Sequence, residues 1–197
     1  MLNEKLKYYN IILASGSPRR QQFFKDLGLD FKIILKPVKE EYPNRLEHFE
    51  ISNYLAQLKS LPFEKTLKDN DILITSDTIV WHNNEALGKP RSENEAFTMI
   101  KSLSNATHEV ITSVCLKTTT SQKTIHAITK VTFKKLNDDE IWYYINNFSP
   151  MDKAGAYGIQ EWFGFIAVTK IEGSYFNVMG LPVHMVYEAL NDIVNTN

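Results

Sequence analysis

The sequence predicts an α/β fold in which a mixed sheet is flanked by helices. Short apolar runs rich in β-branched residues alternate along the chain with segments whose apolar residues recur at helical spacing. The chain has 197 residues, of which 43% are hydrophobic and 23% are charged, a balance typical of a globular domain. No internal repeat, low-complexity tract or long linker divides it. We therefore expect a single domain over residues 1–197.

The N-terminal third is predicted to contain two strands and two helices. The run from Tyr9 to Ala14 is short and apolar, which favours a buried strand. Ser17 is a suitable N-cap and Pro18 suits the first helical position, where no amide hydrogen is needed. Residues 31–35 predict a second strand, and helical spacing over residues 49–58 predicts a second helix.

The middle of the chain combines strands with one capped helix. Residues 72–81 are strongly strand-forming, but the polar Ser76-Asp77-Thr78 is predicted to interrupt them. Asn83-Asn84 indicates a hairpin turn. Ser92 and Glu95 have capping-box spacing and predict a helix that runs to Leu103.

The C-terminal half is predicted to continue the alternation of strands and helices. In order, we expect strands at 109–118 and 124–133, a helix capped by Asp138 or Asp139, a loop at 152–160, a β pair formed by 163–169 and 175–178, and a last amphipathic helix from Pro182.

Composition excludes several classes of protein. The net charge is −1, from 22 basic and 23 acidic residues, so no bulk electrostatic attraction to nucleic acid or an anionic membrane is expected. The one cysteine, Cys115, excludes an intrachain disulfide and is expected to be a small buried side chain. The charged N-terminus does not resemble a signal peptide, and no apolar run approaches the roughly 18 residues of a membrane helix. A cytoplasmic location is expected.

The first candidate site is the segment Leu13-Ala14-Ser15-Gly16-Ser17-Pro18-Arg19-Arg20, which runs from a strand through a small-residue turn into a helix. Free amide hydrogens and a partial positive charge at a helix N-terminus suit phosphate. Ser15 and Ser17 add hydroxyl donors, and two arginines on the first turn call for a compensating anion. The alternative is an ordinary capped helix with solvated arginines.

Acidic side chains form the second candidate site. Asp77 lies within an apolar strand, where burial of a carboxylate without a partner is unfavourable. A metal ion or a catalytic role would explain it, and a strand-end bulge that exposes Asp77 is the alternative. Glu40 and Glu41 lie in a loop, and hard oxygen ligands of this kind suit Mg²⁺ or Mn²⁺. An ordinary acidic loop remains the alternative there.

Two lysines in constrained loops are the third candidate set. Lys89 stands between Gly88 and Pro90, and Lys153 precedes Ala154-Gly155. A lysine in such a loop is well suited to bind phosphate. The alternative for each is an ordinary surface lysine.

Together these segments resemble the Maf family of nucleotide pyrophosphatases over nearly the whole chain. The matching segments, in order, are Leu13 to Arg20, Ser76-Asp77-Thr78, Gly88-Lys89-Pro90, Leu103-Ser104 with Thr107-His108, Asp152 to Gln160, and Gly180-Leu181-Pro182. The form of the fifth segment, Asp-Lys-Ala-Gly-Ala-Tyr-Gly-Ile-Gln, resembles the subfamily that prefers dTTP and UTP. The resemblance implies an inosine-triphosphatase-like (Maf/Ham1) fold, a mixed twisted sheet with flanking helices in two lobes around a cleft, and a homodimer.

The resemblance also implies roles for individual residues. Arg19, Lys59, Lys89 and Lys153 would hold the triphosphate, with Ser15 and Ser17 lining the same site, Glu40 and Asp77 binding Mg²⁺ or Mn²⁺, Asp77 activating water, and Gln160 reading the base. Three positions depart from the usual pattern: Asn105 and Glu161 each replace a glycine, and Lys59 lies in an unusual context, between Leu58 and Ser60.

The activity implied is hydrolysis of nucleoside triphosphates, chiefly dTTP and UTP, to the monophosphate and pyrophosphate, by metal-assisted attack of water on the α-phosphorus. One alternative is a nucleotide-binding regulator of septum formation and cell division that needs no turnover. A second is a nucleotidyltransferase, which would release pyrophosphate only in the presence of an acceptor.

Overall fold

The structure is a computed structural model that describes residues 1–196. Its helices are α1 (Leu2–Leu6), α2 (Pro18–Asp26), α3 (Phe49–Leu58), α4 (Glu93–Leu103), α5 (Asp138–Phe148), α6 (Trp162–Ala167), α7 (Tyr175–Val178) and α8 (Val183–Thr196). Its strands are β1 (Asn10–Leu13), β2 (Phe31–Ile33), β3 (Asp71–His82), β4 (Glu85–Leu87), β5 (Thr107–Lys117), β6 (Gln122–Phe133) and β7 (Val168–Glu172). Short 3₁₀ turns cover Leu61–Phe63, Pro150–Asp152 and Ala154–Ala156.

The strands form one mixed sheet, as the sequence predicts. Their order is β2-β1-β3-β5-β6-β7, and β4 pairs with β3 outside this path. Strand β1 is parallel to both β2 and β3, with Ile12 opposite Lys32 on one side and Leu73 on the other. The pairs β3–β4 and β6–β7 are antiparallel. The α/β class with a mixed sheet is therefore confirmed.

The chain separates into two compact units. Unit 1 consists of Met1–Asp77, Thr112–His126 and the C-terminal segment from Gly180. It holds the parallel strands β1 and β2 with the first part of β3, and Leu73 and Ile12 pack there against the buried Phe63. Helix α1, which the sequence analysis did not anticipate, buries Leu2 and Leu6 in this unit.

Unit 2 consists of Thr78–Ile111 and Ala127–Met179. Its large core is built from one face of each of α4 and α5 and from the aromatic side chains that follow them. The buried members include Ile100, Leu103, Phe133, Ile141, Tyr144, Tyr157 and Phe163. Helices α4 and α5 also stack Phe97 on Trp142, with the ring centroids 4.8 Å apart. Unit 2 thus has its own hydrophobic core.

Several predicted boundaries are confirmed by the structure. Helix α2 begins at Pro18 with Ser17 at the N-cap position, and it ends before Gly28, whose φ of 65° suits a residue without a Cβ. The Asn83-Asn84 turn has φ values of 51° and 61°, the left-handed conformation that a two-residue hairpin needs. The Ser92 hydroxyl accepts a hydrogen bond from the Glu95 amide at the start of α4.

Strand β3 differs from the prediction because it continues through Ser76-Asp77-Thr78 without a break. Asp77 stays in the strand because its carboxylate has a partner: Lys59 Nζ donates to it across 2.6 Å. A partnered polar side chain removes the reason to interrupt a buried strand.

Two predictions for the C-terminal half are wrong. The cap of α5 is Asn137 rather than Asp138 or Asp139, because the Asn137 and Glu140 side chains bond each other's backbone amides in a capping box. The expected β pair at 163–169 and 175–178 is instead α6, β7 and α7. Phe163 and Ala167 are both buried, at i and i+4, so the burial period of this aromatic segment is helical.

Cys115 is buried in β5, as expected. Within the described residues, no helix combines the length and the apolar character that crossing a membrane requires.

Candidate functional site

The turn between β1 and α2 is organised by Ser15. Its hydroxyl accepts a hydrogen bond from the Ser17 amide at 3.3 Å, and its carbonyl accepts one from Gln21 Nε2 at 3.1 Å. Ser15 is buried, whereas Ser17 is only partly buried and its hydroxyl forms no capping bond to the helix. The start of α2, whose partial positive charge suits an anion, is therefore shaped by the buried Ser15 and not by a side-chain cap from Ser17.

Arg20 is the arginine that reaches into this site. Its Nε donates to the Gly180 carbonyl at 2.8 Å, and its Nη1 donates to the Ser76 carbonyl at 3.3 Å and lies 3.5 Å from Ser15 Oγ. Burial lowers the pKa of Arg20 to about 10, and the nearby Asp77 opposes that change. The guanidinium is therefore still charged at neutral pH.

The resemblance implies a phosphate contact for Arg19, and Arg20 is not among the residues to which it gives a role. A signal for Arg20 existed in the helix spacing. Arg20 lies three residues before Phe23 and four before Phe24, and both phenylalanines are buried. Residues at these separations share a helix face, so Arg20 belongs to the inward face of α2. Arg19 has only Phe23 at such a separation, and it is partly buried on the first turn.

A lysine joins the two carboxylates that the sequence analysis grouped as metal ligands. Lys59 follows the last residue of α3, and its Nζ lies 2.6 Å from Asp77 Oδ1 and 3.1 Å from Glu40 Oε1. The Ser76 carbonyl is 3.5 Å from the same nitrogen. Three oxygen atoms, two from adjacent residues of β3 and one from the loop of Glu40, thus contact one cation.

The two carboxylates differ in environment. Asp77 is 6% exposed, so the alternative of an exposed bulge is wrong, whereas the Glu40 side chain is 48% exposed. Burial raises the pKa of Asp77, and the charge and hydrogen bond of Lys59 oppose that rise. Asp77 is therefore a carboxylate whose ionised form depends on neighbouring cations.

The oxygen atoms present fit a hard divalent cation. Two carboxylates and a backbone carbonyl converge on the point that Lys59 Nζ occupies, and oxygen donors of this kind are those that Mg²⁺ and Mn²⁺ prefer. Among residues 1–196, no group of three or more His, Cys, Asp or Glu side chains is arranged to hold a metal.

The remaining candidates lie in unit 2. Lys89 is exposed in its loop, and the carbonyl of the preceding Gly88 accepts a hydrogen bond from the Gly155 amide at 3.0 Å. This bond ties the loop of Lys89 to that of Lys153. Lys153 is buried in ion pairs with acidic side chains, and Gln160 is partly buried. A common site for these residues and those of unit 1 stays a prediction.

Asn105, one of the departures from the resembled pattern, has a structural explanation. Its φ is 58°, in the left-handed region where glycine is usual and asparagine is among the best tolerated alternatives. Its amide donates to the Lys134 carbonyl at 3.0 Å. The replacement therefore preserves the turn between α4 and β5.

The fold is that of an α/β protein whose unit 1 brings Arg20 and Lys59 to the Asp77 carboxylate, and comparison with known proteins identifies the family. Residues 10–193 match the family described as Maf-like protein. The chain belongs to the Maf family, which confirms the resemblance.

Similar proteins cover almost the whole chain. A protein of Flavobacterium johnsoniae named dTTP/UTP pyrophosphatase is 68% identical over 98% of this chain and 100% of its own length. A protein of Christiangramia forsetii with the same name is 54% identical over 100% of both chains. The structure of the Staphylococcus aureus Ham1 protein covers 93% of this chain and 99% of its own, with a TM-score of 0.55 at 16% identity, which supports the fold.

The Lys59→Met substitution is expected to make stability depend on pH more strongly. Lys59 opposes the raised pKa of Asp77, so its loss raises that pKa further. A carboxyl group whose pKa is higher in the folded than in the unfolded state favours folding at low pH and loses this advantage as the pH rises. The stability gap between wild type and variant should therefore widen from pH 4 to pH 8, by about 1.4 kcal/mol for each unit of added pKa shift.

Urea unfolding in metal-free buffer at several pH values measures this gap. Lys117→Met is the matched control, because Lys117 is similarly shielded but pairs with Glu64, which is half exposed. The difference in stability between the wild type and Lys117→Met should stay constant over the same pH range. A constant gap for Lys59→Met as well would contradict the assigned role of Lys59.

Proposed function

We propose that this protein hydrolyses nucleoside triphosphates, with dTTP and UTP as preferred substrates, to the nucleoside monophosphate and pyrophosphate. The observation that carries the proposal is the buried Asp77 carboxylate, held by Lys59 and close to Arg20, beside the start of α2. The proposal is further supported by full-length relatives named dTTP/UTP pyrophosphatase. A protein that only binds nucleotides has no need of a buried carboxylate able to take up a proton.

In the proposed reaction, Asp77 accepts a proton from the water that attacks the α-phosphorus. The bond between that phosphorus and the oxygen bridging to the β-phosphorus breaks, and pyrophosphate leaves. Burial raises the pKa of Asp77, which brings its proton affinity nearer to that required of a general base at neutral pH. The positive charges of Arg20 and Lys59 stabilise negative charge that develops on the phosphate oxygens.

We propose Glu40 and Asp77 as the residues that hold a divalent cation, Mg²⁺ or Mn²⁺. A cation bound there would polarise phosphate oxygens and lower the pKa of a water molecule. Lys59 would release at least one carboxylate when a cation binds, because its ammonium group contacts both.

The proposal also keeps the other residues implied by the resemblance. Arg19, Lys89 and Lys153 would contact the phosphates, Ser15 and Ser17 would line the same site, and Gln160 would read the base. A homodimer of single-domain chains and a cytoplasmic location belong to the same proposal. Sedimentation analysis of the purified chain tests the dimer.

A substrate panel tests the proposed function. The purified protein is incubated with dTTP, UTP, CTP, ATP or GTP and with Mg²⁺, Mn²⁺ or EDTA, and pyrophosphate and orthophosphate are measured separately. We expect pyrophosphate from dTTP and UTP, no orthophosphate, and no turnover in EDTA. Binding of nucleotide without turnover, or release of pyrophosphate only with an added acceptor, would contradict the proposal.

A further inference from the structure

An acidic side chain that the family resemblance does not account for contacts Lys153. Glu161 follows the loop of Lys153 and occupies the N-cap position of α6. Its Oε1 lies 3.1 Å from Lys153 Nζ. The Lys153 side chain is only 8% exposed, so its ammonium group depends on protein partners rather than on water.

Glu161 is itself held by a buried tyrosine. The Tyr144 hydroxyl donates to Glu161 Oε2 and accepts a hydrogen bond from the Gly158 amide at 2.9 Å. Burial, and next the Glu161 carboxylate, raise the pKa of Tyr144, so the hydroxyl keeps its proton and remains a donor. A chain of contacts thus runs from the Gly158 backbone through Tyr144 and Glu161 to Lys153.

The backbone beneath Glu161 is shaped for this carboxylate. A Cβ atom at Gly158 would lie 2.7 Å from Glu161 Cδ and 2.8 Å from Glu161 Oε2. Glycine at this position therefore lets the carboxylate lie directly against the loop. This packing restricts the carboxylate group in addition to the hydrogen bond from Tyr144.

The other acidic partner of Lys153 is placed differently. Asp152 Oδ1 lies 2.7 Å from Lys153 Nζ, but the Asp152 side chain is 58% exposed. Water and salt weaken the interaction of an exposed carboxylate with its partner. Glu161, whose side chain is 22% exposed, is therefore the partner with the stronger influence on where the ammonium group lies.

We infer that Glu161 is a positioning residue for Lys153: with Tyr144, it fixes the ammonium group at one place in the loop at 153–160. The inference rests on the proposed function in one respect, that Lys153 contacts the phosphates of the substrate. A fixed ammonium group binds phosphate without first losing conformational freedom, which favours substrate affinity.

Glu161→Gln is the most informative substitution. Glutamine keeps the size of the side chain but offers one oxygen, so it can accept from Lys153 or from Tyr144 and turns an amide donor toward the other. We expect the KM for dTTP to rise roughly tenfold, since a hydrogen bond to a charged group is lost, with kcat changed less than about threefold. The matched control is Asp152→Asn, for which we expect a KM within about twofold of wild type.

Nuclear magnetic resonance of ¹⁵N-labelled lysine tests the positioning without any turnover. In the wild-type protein, the Lys153 ammonium group should give a signal protected from exchange with water, identified by its loss in Lys153→Arg. The signal should persist in Asp152→Asn and disappear in Glu161→Gln. Absence of a protected signal in the wild type, or its persistence in Glu161→Gln with an unchanged KM, would overturn the inference.

Tyr144→Phe provides a second variant, which retains both charges and removes the hydroxyl that holds Glu161. We expect a smaller rise in KM and a less protected Lys153 signal. A wild-type protein that hydrolyses no triphosphate would refute the proposed function, while the lysine signals would still decide whether Glu161 positions Lys153.

Discussion

Asp77→Asn is expected to lower kcat for dTTP by about 10³-fold, within the range that a general acid or base contributes. Asparagine has nearly the same shape as aspartate but cannot take up the water proton. The fold should survive, because Lys59 keeps Glu40 as a partner and the neutral side chain no longer has to be buried as a charge. Initial rates of pyrophosphate release measure kcat, and circular dichroism of the same samples checks the fold.

Asp71→Asn is the matched control for this prediction. Asp71 lies on the same strand, β3, and is 6% exposed, as Asp77 is. Its carboxylate accepts hydrogen bonds from Asn10 Nδ2 at 3.1 Å and from the Lys68 amide at 2.9 Å, so its role is to hold the start of the strand. We expect this variant to lose stability but to keep kcat. Near-wild-type turnover in Asp77→Asn would remove Asp77 from the mechanism.

Gly164→Ala is expected to destabilise the protein by about 3 kcal/mol or more. A Cβ atom at Gly164 would lie 1.8 Å from the Ile159 carbonyl oxygen and 2.6 Å from its carbon. Both atoms belong to the backbone, so α6 and the end of the loop at 153–160 would have to move apart. That movement would also disturb Glu161, which begins α6.

Gly88→Ala is the matched control, because a Cβ atom there meets nothing within 4 Å. Its stability should remain within about 0.5 kcal/mol of wild type. Thermal and urea unfolding of both variants measure the difference. If Gly164→Ala unfolds like the wild type, α6 does not pack against Ile159 in the way described.

Local sequence signals predict most elements of this fold, and the errors have identifiable causes. Ser17 with Pro18 and the Asn83-Asn84 pair are short-range signals that depend on backbone geometry alone, and the structure confirms them. The prediction of a strand at 163–169 is wrong. Aromatic and β-branched residues favour a strand there, whereas the burial of Phe163 and Ala167 follows a helical period. Tertiary packing decides such a segment, and no local pattern reports it.

The candidate site, too, could be predicted from the sequence only in part. The resemblance implies that Glu40, Lys59 and Asp77 belong to one site, and in the structure Lys59 contacts each of the two carboxylates. The resemblance does not reveal that Lys59 is the ion-pair partner of both carboxylates, because this pairing depends on where α3 ends relative to β3. Nor does it reveal the contact of Glu161 with Lys153, since a replacement of glycine shows only that the residue differs.

The position of Lys59 between Glu40 and Asp77 has a consequence for the protein when no substrate is bound. The protein carries its own counter-ion, so mutual repulsion of the two acids is relieved by a tethered side chain instead of a solute. We therefore expect the protein to fold in metal-free buffer. Under the proposed function, a cation that arrives complexed with a nucleotide would only have to displace an amine on a flexible side chain, which could move back when the products leave.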